Sequence, residues 1–329
     1  MLTCVPLSPL TGPLREPAGG RAEAAGIALG LAVDALIGDP RRGHPVAAFG
    51  RWSRRLQGPL ERDSRLAGLT FWCASVGSVT ALGALAARLT RGSAPARAVL
   101  IAWSTWAVIG GTTLGREASR IAGAVAADDI PAARELLPNL CGRDPSRLDG
   151  TALLRATIES VAENTGDAVV SPLLWGACLG APGLLAFRAL NTLDAVVGHR
   201  SERYLHFGWA AARLDDAASL VPARIGALLT CALAPVVGGR PGGAWRAWRR
   251  DAPAHPSPNA GPLEAGFAGA LGLRLGGALV YDYGPSERPW LNRAGRDPVP
   301  ADVARTVRLS RAVGVATAVL AGALAWRRG

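Results

Sequence analysis

The stretch LAGLTFWCASVGSVTALGALAA, from Leu66 to Ala87, decides the fold class. Its 22 residues carry no charge, and Arg65 and Arg88 flank it. About 20 consecutive apolar residues are what an α-helix needs to cross the roughly 30 Å hydrocarbon core of a bilayer. The stretch therefore predicts a membrane-spanning helix.

Further apolar runs extend this pattern along the chain. They cover residues 24–38, 98–115, 168–187, 225–239 and 312–326. Several are shorter than a straight crossing requires, and prolines and glycines interrupt the third of them. No strand alternation of useful length is visible. We therefore predict an all-α, multi-pass helical integral membrane protein with about four to six apolar segments, some of them re-entrant.

Composition supports the membrane class and excludes several kinds of chemistry. Of the 329 residues, 49% are hydrophobic and only 19% are charged, against about 25% charged in an ordinary soluble domain. The net charge is +11 and every basic residue except histidine is arginine, which excludes a Schiff-base lysine and a P-loop lysine. The arginines are scattered among apolar segments, so we expect contact with membrane lipid and not with nucleic acid.

Cysteine and histidine patterns do not predict a zinc site or a disulfide framework. None of the five cysteines forms a CxxC pair, and the four histidines lack the HExxH spacing. Residues 1–23 are rich in proline and glycine and lack the features of a signal peptide, so we predict a flexible tail. We expect residues 24–329 to form a single helical membrane domain.

Polar segments between the apolar runs carry nearly all the chemically useful side chains. They cover residues 39–65, 116–167, 188–224 and 240–311, and we predict that they are catalytic loops. If the runs 168–187 and 225–239 enter the membrane and return, all four segments face one side. A transporter would place its ionisable groups within the spans, so this distribution favours an enzyme at the membrane surface.

The segment ESVAENTGDAVVSP, from Glu159 to Pro172, places carboxylates directly before an apolar run. Glu159, Glu163 and Asp167 are four residues apart and would lie near one face of a helix, where like charges repel. With Asn164 they form an oxygen-only set, which suits Mg²⁺. The alternative is a solvated helix face.

A second polar stretch is GDPRRGHPVAAFGR, from Gly38 to Arg51. Glycine and proline at its start are typical of a helix end, after which the turn presents Asp39 and His44. The alternative is a basic interfacial loop.

The third stretch is NTLDAVVGHRSERYLHFGWAAARLDD, from Asn191 to Asp216. It contains Asn191 and Asp194 one helical turn apart, followed by Arg203, Arg213, Asp215 and Asp216. Arginine forks recognise carboxylates and phosphates, and the aspartate pair is a second candidate metal site. The alternative is a set of ion pairs on an exposed helix face.

The fourth stretch begins HPSPNAGPLEAGFAG at His255. Pro256 and Pro258 fix the backbone, so the loop would hold His255, Ser257 and Asn259 in rigid geometry, with Glu264 at the start of a helix.

These four stretches, taken together and in this order, resemble the adenosylcobinamide-phosphate synthase family of cobalamin biosynthesis, the CobD/CbiB family. The resemblance covers roughly residues 24–285. It implies a multi-pass amide synthase of the cell membrane. Such an enzyme joins adenosylcobyric acid to 1-amino-2-propanol, or to its O-phosphate, with ATP and Mg²⁺. Other late enzymes of the cobalamin pathway are candidate partners.

Within this resemblance the residues acquire expected roles. Glu159, Glu163 and Asp167 would hold Mg²⁺ against the ATP phosphates, with the Asp215–Asp216 pair as the rival metal site. Arg203 and Arg213 would clamp phosphate, and His44 or His255 would deprotonate the amine. The expected substrate-binding residues are Asp39, Asn164, Asn191, Asp194, Ser257, Asn259 and Glu264. The main alternative is a corrinoid-binding membrane protein without catalysis, either a transporter or a pathway scaffold.

Overall fold

The computed structural model describes residues 17–40, 42–199, 201–281 and 284–328. The first helices are α1 (Pro17–Ile37), α2 (Pro45–Leu60), α3 (Arg65–Leu89), α4 (Ala94–Val108), α5 (Gly111–Ala126), α6 (Ile130–Leu136) and α7 (Gly150–Thr165). They are followed by α8 (Ser171–Leu179), α9 (Ala181–Val197), α10 (Trp209–Leu233), α11 (Pro241–Asp251), α12 (Ala260–Leu271) and α13 (Pro300–Arg328). An antiparallel hairpin of β1 (Leu275–Tyr281) and β2 (Gly284–Leu291) lies between α12 and α13.

Within the described residues, four helical segments are long and apolar enough to cross a membrane. They are Arg65–Leu89, Ala94–Ala126, Trp209–Val237 and Pro300–Arg328. The second of these contains a break, because Ile109 is extended between α4 and α5. The predicted all-α, multi-pass membrane fold is confirmed.

The apolar run 168–187 reverses direction inside the protein. Helix α7 continues through a π-helical turn, Gly166–Val170, into α8, and the chain then turns back at Gly180 into α9. Gly180 has a φ of +70°, a conformation that favours glycine. The two helices touch closely, because a Cβ atom on Gly183 would lie 2.2 Å from the carbonyl oxygen of Trp175. The run therefore reverses at Gly180 and leads back toward the end of the bundle from which it came.

Other sequence predictions need correction. The run 225–239 is not a separate segment but the second half of α10 and the 3₁₀ turn that follows it. The polar segments predicted as loops are largely helical, and they contain α2, α5 to α7, most of α10, α11 and α12. Residues 17–23 open helix α1 and are not a loose tail, while residues 1–16 lie outside the described ranges.

The two ends of the helical bundle differ in character. At one end, the side chain of Arg328 binds Glu23 and the carbonyl oxygen of Cys178, and the guanidinium of Arg21 lies 4.9 Å from the ring centre of Trp326. We call this the distal end. At the opposite end α7, α9, α12 and β2 converge, and most of the predicted site residues lie there. Buried apolar side chains of α7, α12 and α13 form the main core between the ends.

Candidate functional site

A polar cavity of about 320 Å³ opens at the end of the bundle opposite the distal end. Its lining includes five predicted residues: Glu163, Asn164, Asp167, Asn191 and Asp194. Arg143, from the loop before α7, and Arg288, from β2, also line it. We call this the main cavity. It sets carboxylates from α7, the π-turn and α9 against two guanidinium groups.

A smaller cavity of about 150 Å³ adjoins the main cavity. Leu140 and Asn164 line both, so the two spaces are neighbours. Asp39, Glu117 and Arg188 line the smaller space. The predicted residues Asp39 and Asn164 therefore meet here, although 125 positions separate them in the sequence.

The π-turn explains why the carboxylates of Glu159, Glu163 and Asp167 do not all face the same space. The three carboxylates follow the helical spacing of four, but the chain changes its hydrogen-bonding pattern at Gly166, directly before Asp167. π-turns inside α-helices are frequent at functional sites. Here Glu163 and Asp167 line the main cavity, whereas Glu159 is fully buried below it.

Glu159 has partners that occupy both carboxylate oxygens. Its Oε2 lies 2.5 Å from Nη2 of Arg143, and its Oε1 accepts the backbone N–H of Gly276 at 2.6 Å. Protein groups therefore occupy the positions at which Glu159 would bind the predicted metal ion. Glu159 instead fixes Arg143 at the cavity wall and anchors the base of the hairpin.

The carboxylates of Glu163, Asp167 and Asp194, which we call the acidic wall, repel one another. Burial raises the pKa of Asp167 well above its usual range, and Asp215, Glu163 and Asp194 raise it further. Burial, Asp216 and Glu163 raise the pKa of Asp194 to about 6. Such a cluster favours either shared protons or a bound cation.

The second predicted metal pair lies behind this wall. Asp215 is buried and accepts a hydrogen bond from the Asn191 amide at 3.4 Å. The carbonyl oxygen of Asp216 accepts the side-chain amide of Asn259 at 2.9 Å. These contacts tie α10 to α9 and to the loop before α12. Asn191 lines the cavity itself, and Asn259 supports it from behind.

The residues of the HPSPNAG loop have hydrogen-bond partners within the protein. The Ser257 hydroxyl accepts the backbone N–H groups of Asn259 and Ala260 at 3.3 and 3.1 Å, which fixes the turn that leads into α12. Asn259 Oδ1 accepts a hydrogen bond from Arg224 at 3.1 Å. Neither Ser257 nor Asn259 lines the main cavity, so their predicted direct contact with substrate is not supported.

His255 and Glu264 form a buried polar group behind Arg288. The His255 Nε2 lies 3.6 Å from Glu264 Oε1 and 3.3 Å from Nη1 of Arg288. Burial lowers the pKa of His255 to about 4, and it raises the pKa of Glu264 well above its usual range. At neutral pH the imidazole is therefore uncharged, and both residues act on the cavity through Arg288.

His44 occupies the other side of the site. Its Nδ1 accepts the backbone N–H of Val46 at 3.2 Å and caps α2. Its Nε2 lies 3.4 Å from Oδ1 of Asp39, which lines the smaller cavity.

The family model described as CobD/Cbib protein matches residues 27–310. The chain belongs to the CobD/CbiB family. Membership gives it a role in cobalamin biosynthesis.

Curated relatives share this assignment along nearly their whole length. The cobalamin biosynthesis protein CobD of Mycobacterium tuberculosis (strain H37Rv) is 54% identical over 305 residues, which cover 93% of this chain and 96% of the relative. The CobD protein of Geobacter metallireducens is 42% identical, covering 84% and 89%. That of Rhodobacter capsulatus is 38% identical, covering 88% and 93%. No solved structure matches the chain.

The arginines that line this CobD/CbiB cavity are not the ones predicted. Arg203 binds Glu61 on the outer surface, with 65% of its side chain exposed, and Arg213 is exposed on α10. Neither residue lines the main or the smaller cavity, so the phosphate clamp stays a prediction from the sequence. Arg143, Arg188 and Arg288 line the cavities instead.

Sequence reasoning could have found some of these arginines but not all. Arg188 is the first charged residue after the apolar run that begins behind Asp167, and that position was a usable signal. Arg143 lies in the loop CGRDPSR directly before α7. Arg288 had no signal, because it enters the site on a hairpin that the sequence did not predict.

Metal binding in this family member would not use a preformed cage of protein ligands. Among the described residues, no group of three or more histidine, cysteine, aspartate or glutamate side chains is placed to hold a metal ion. Mg²⁺ needs only one or two carboxylates, because water and substrate phosphates complete its shell. The oxygen-only acidic wall of Glu163, Asp167 and Asp194 fits that requirement.

Proposed function

We propose that this CobD/CbiB protein is an ATP-dependent amide synthase of the cell membrane. It would join the free propionate carboxylate of adenosylcobyric acid to the amine of 1-amino-2-propanol, or of its O-phosphate. The product would be adenosylcobinamide or its phosphate. The main cavity carries this proposal, because it sets an acidic wall against guanidinium groups beside candidate membrane spans.

The reaction must bring several anions together, and the guanidinium groups of Arg143 and Arg288, which we call the basic wall, suit that task. Forming an amide from a carboxylate at neutral pH needs activation. ATP with Mg²⁺ would transfer its terminal phosphoryl group to the carboxylate and leave as ADP, and the amine would then displace phosphate from the acyl phosphate and lose a proton. Arg143 and Arg288 would bind the reacting phosphate and carboxylate oxygens, since guanidinium forks hold such groups through paired hydrogen bonds. Glu159 would keep Arg143 in place for this role.

The acidic wall suits the metal ion that accompanies ATP. One or two of Glu163, Asp167 and Asp194 would supply the protein ligands, and water and the ATP phosphates would complete the shell. The raised pKa values of Asp167 and Asp194 support this assignment, because they report a cluster of carboxylates that a cation would relieve. Asp215 and Asp216 would hold Asn191 and the loop before α12 behind this wall.

The attacking amine must lose a proton before it forms the amide. His44 lies beside Asp39 at the smaller cavity, and His255 lies beside Arg288 at the main one. His255 is uncharged at neutral pH and lies behind Arg288, and its pKa of about 4 makes it a weak base. Both histidines remain candidates for the base.

One assay tests the proposal. The purified protein would receive adenosylcobyric acid, ATP, Mg²⁺ and either aminopropanol or its phosphate, and the corrinoid mass would be followed. We expect a mass gain that matches condensation, ATP consumption, and no gain after chelation of Mg²⁺. The amine that gives the gain identifies the second substrate.

A pair of variants links the activity to the cavity. Glu163→Gln removes a carboxylate from the acidic wall and should abolish Mg²⁺-dependent turnover, while corrinoid binding persists. Glu135→Gln changes an exposed glutamate on α6 and should behave like the unmodified chain. Corrinoid binding without any mass change, where an active relative turns over, would replace the proposal with a non-catalytic transporter or pathway scaffold.

A further inference from the structure

An apolar groove lies between α3 and α4 on the membrane side of the protein. Its volume is about 340 Å³, within the range of roughly 300–1,000 Å³ that ligand pockets occupy. Helices α3 and α4 are joined by the short turn at residues 90–93, and both pack on α9, which forms the floor of the groove. Leu82 on α3 and Trp103 on α4 line the two sides and are 65% and 48% exposed.

The surroundings of this groove are apolar membrane surface. Both α3 and the segment that contains α4 are candidate membrane spans. Leu185 and Ala189 on α9 form part of the floor, and Phe49 on α2 lines the upper part. No acidic residue lines the groove. In a bilayer such a space is filled by hydrocarbon and not by water.

One end of the groove is cationic. Arg188 lines it, next to Thr192 and to Pro45 at the first turn of α2. Among the described residues, no carboxylate lies within 4 Å of the Arg188 guanidinium, and its buried Nε has no hydrogen-bond partner. Asp39 and Asp167 act on it only through longer-range electrostatic attraction. The start of α2 adds the positive end of a helix dipole, which also favours an anion.

We propose that this groove binds one phospholipid of the bilayer, with an acyl chain between α3 and α4 and an anionic head group at Arg188. The charge distribution selects this occupant, because a hydrocarbon chain fits the uncharged length of the groove and a lipid phosphate fits its cationic end. The proposal is independent of the reaction proposed above.

The position of Arg188 gives the bound lipid a defined relation to the site. The same side chain lines the smaller cavity with Asp39. A lipid head group at Arg188 would therefore lie one side chain away from that cavity. The lipid composition of the bilayer would therefore affect the smaller cavity through Arg188.

Retention of lipid by the purified full-length protein tests the proposal. The protein would be reconstituted in vesicles of equal parts phosphatidylglycerol and phosphatidylcholine, extracted in mild detergent, and weighed by native mass spectrometry. We expect a phospholipid adduct in which phosphatidylglycerol predominates. Arg188→Met should keep an adduct but remove the preference for phosphatidylglycerol. Absence of an adduct, or a preference that Arg188→Met leaves unchanged, would overturn the proposal.

Matched tryptophan variants locate the lipid. Ala86→Trp fills the groove from α3, whereas Ala84→Trp adds the same side chain on the exposed side of the same helix. We expect Ala86→Trp to lose the adduct and Ala84→Trp to retain it. An adduct that survives in Ala86→Trp, or a change in that variant from monomer to dimer without lipid loss, contradicts the assignment.

A measurement on the unmodified chain keeps the test independent of how the variants fold. Phosphatidylglycerol with a photoreactive acyl chain would be activated in the vesicles, and the modified peptides sequenced. Cross-links should include Leu185, which is half-buried on the groove floor. Cross-links confined to the outer surface of α3 and α4 would show that lipid does not enter.

Discussion

Two glutamates one helical turn apart have opposite roles in this protein. Glu159 is buried against Arg143 and the hairpin backbone, and Glu163 faces the main cavity with other carboxylates. A buried charge needs its partner, because a charge left alone in the interior is costly. A carboxylate held among others is already under repulsion, so its removal relieves strain. The same residue type at regular spacing therefore stabilises the fold in one place and serves the cavity in the other.

This contrast predicts different effects on stability. Glu159→Ala should lower the free energy of unfolding by about 3–5 kcal/mol, because it removes the buried carboxylate that binds both Arg143 and the backbone N–H of Gly276. Glu163→Ala should leave that free energy unchanged or raise it. Denaturant unfolding of both variants in the same detergent, followed by near-UV circular dichroism, measures the difference. Equal losses from the two variants would refute the division of roles.

An arginine that lines the main cavity and an arginine on the outer surface should differ in their effect on turnover. Arg288→Met removes a guanidinium from the main cavity, so we expect a large rise in KM for the anionic substrates of the proposed reaction. Arg203→Met removes an exposed ion pair with Glu61, and we expect no change in turnover or stability, since solvent screens such pairs. Steady-state kinetics of both variants decide the matter. A loss of turnover in Arg203→Met would restore the clamp predicted from the sequence.

Residue type and spacing could predict the acidic wall but not the basic one. Glu163, Asn164 and Asp167 follow a helical pattern next to an apolar run, which is visible in one sequence. Arg203 and Arg213 look equally suitable as anion ligands, yet both point outward. Whether an arginine faces a cavity or solvent depends on how helices from distant parts of the chain pack, and the sequence does not contain that information locally.

At the scale of elements, the α7–α9 unit positions the acidic wall. The π-turn presents Asp167 at the cavity, and the reversal at Gly180 returns α9 so that Asn191 and Asp194 reach the same space. Close packing of α8 on α9 requires Gly183, where the backbone of Trp175 leaves no room for a Cβ atom. The geometry of the site therefore depends on the packing of α8 against α9, and the closest contact between these two helices lies far from the cavity.

This dependence can be tested with two glycine substitutions. Gly183→Ala places a methyl group against a carbonyl oxygen and should destabilise the protein by about 1–3 kcal/mol, as overpacking does. Gly77→Ala, on the exposed side of α3 with no neighbour within 4 Å, should stabilise its helix by about 0.5–1 kcal/mol. Thermal unfolding in detergent gives both values. A neutral Gly183→Ala would mean that the hairpin opens without cost.

Elements with a strong apolar pattern were predictable, and the others were not. The uncharged run 66–87 lies within α3, and run 312–326 lies within α13. Helix α10 begins sixteen residues before its predicted apolar run, because its first half carries polar residues, among them Arg213, Asp215 and Asp216, that hide the helix from an apolar pattern. The hairpin was missed because its strands contain Gly276, Gly277, Pro285 and Pro289 in place of an alternating apolar pattern.

At the scale of the whole molecule, the bundle places its polar segments at one end. Arg65 at the start of α3 lies 5.3 Å from the ring centre of Trp209, at the start of α10. Val237, at the other end of that segment, accepts a hydrogen bond at 2.8 Å from Arg305, near the start of α13. The starts of α3 and α13 both lie opposite the distal end, where α13 finishes at Arg328. Helix α10 is thus long enough to cross a membrane, yet both its ends lie at the cavity end.

The two ends of the bundle should meet opposite faces of the membrane. Gly92, in the turn after α3, should lie on one face. Ser146, in the loop before α7, and Gly242, in the first turn of α11, should lie on the other face. Single-cysteine variants at these exposed positions, in a cysteine-free background, would be labelled with an impermeant maleimide in vesicles of both orientations. Labelling in detergent controls for reactivity. If Gly242 labelled with Gly92, α10 would cross the bilayer and the segment 240–311 could not face the main cavity from the same side. If Gly92 labelled with Ser146, α3 and α4 would not traverse the membrane at all. Only the expected pattern lets all four polar segments reach one cavity while α3, α4 and α13 cross.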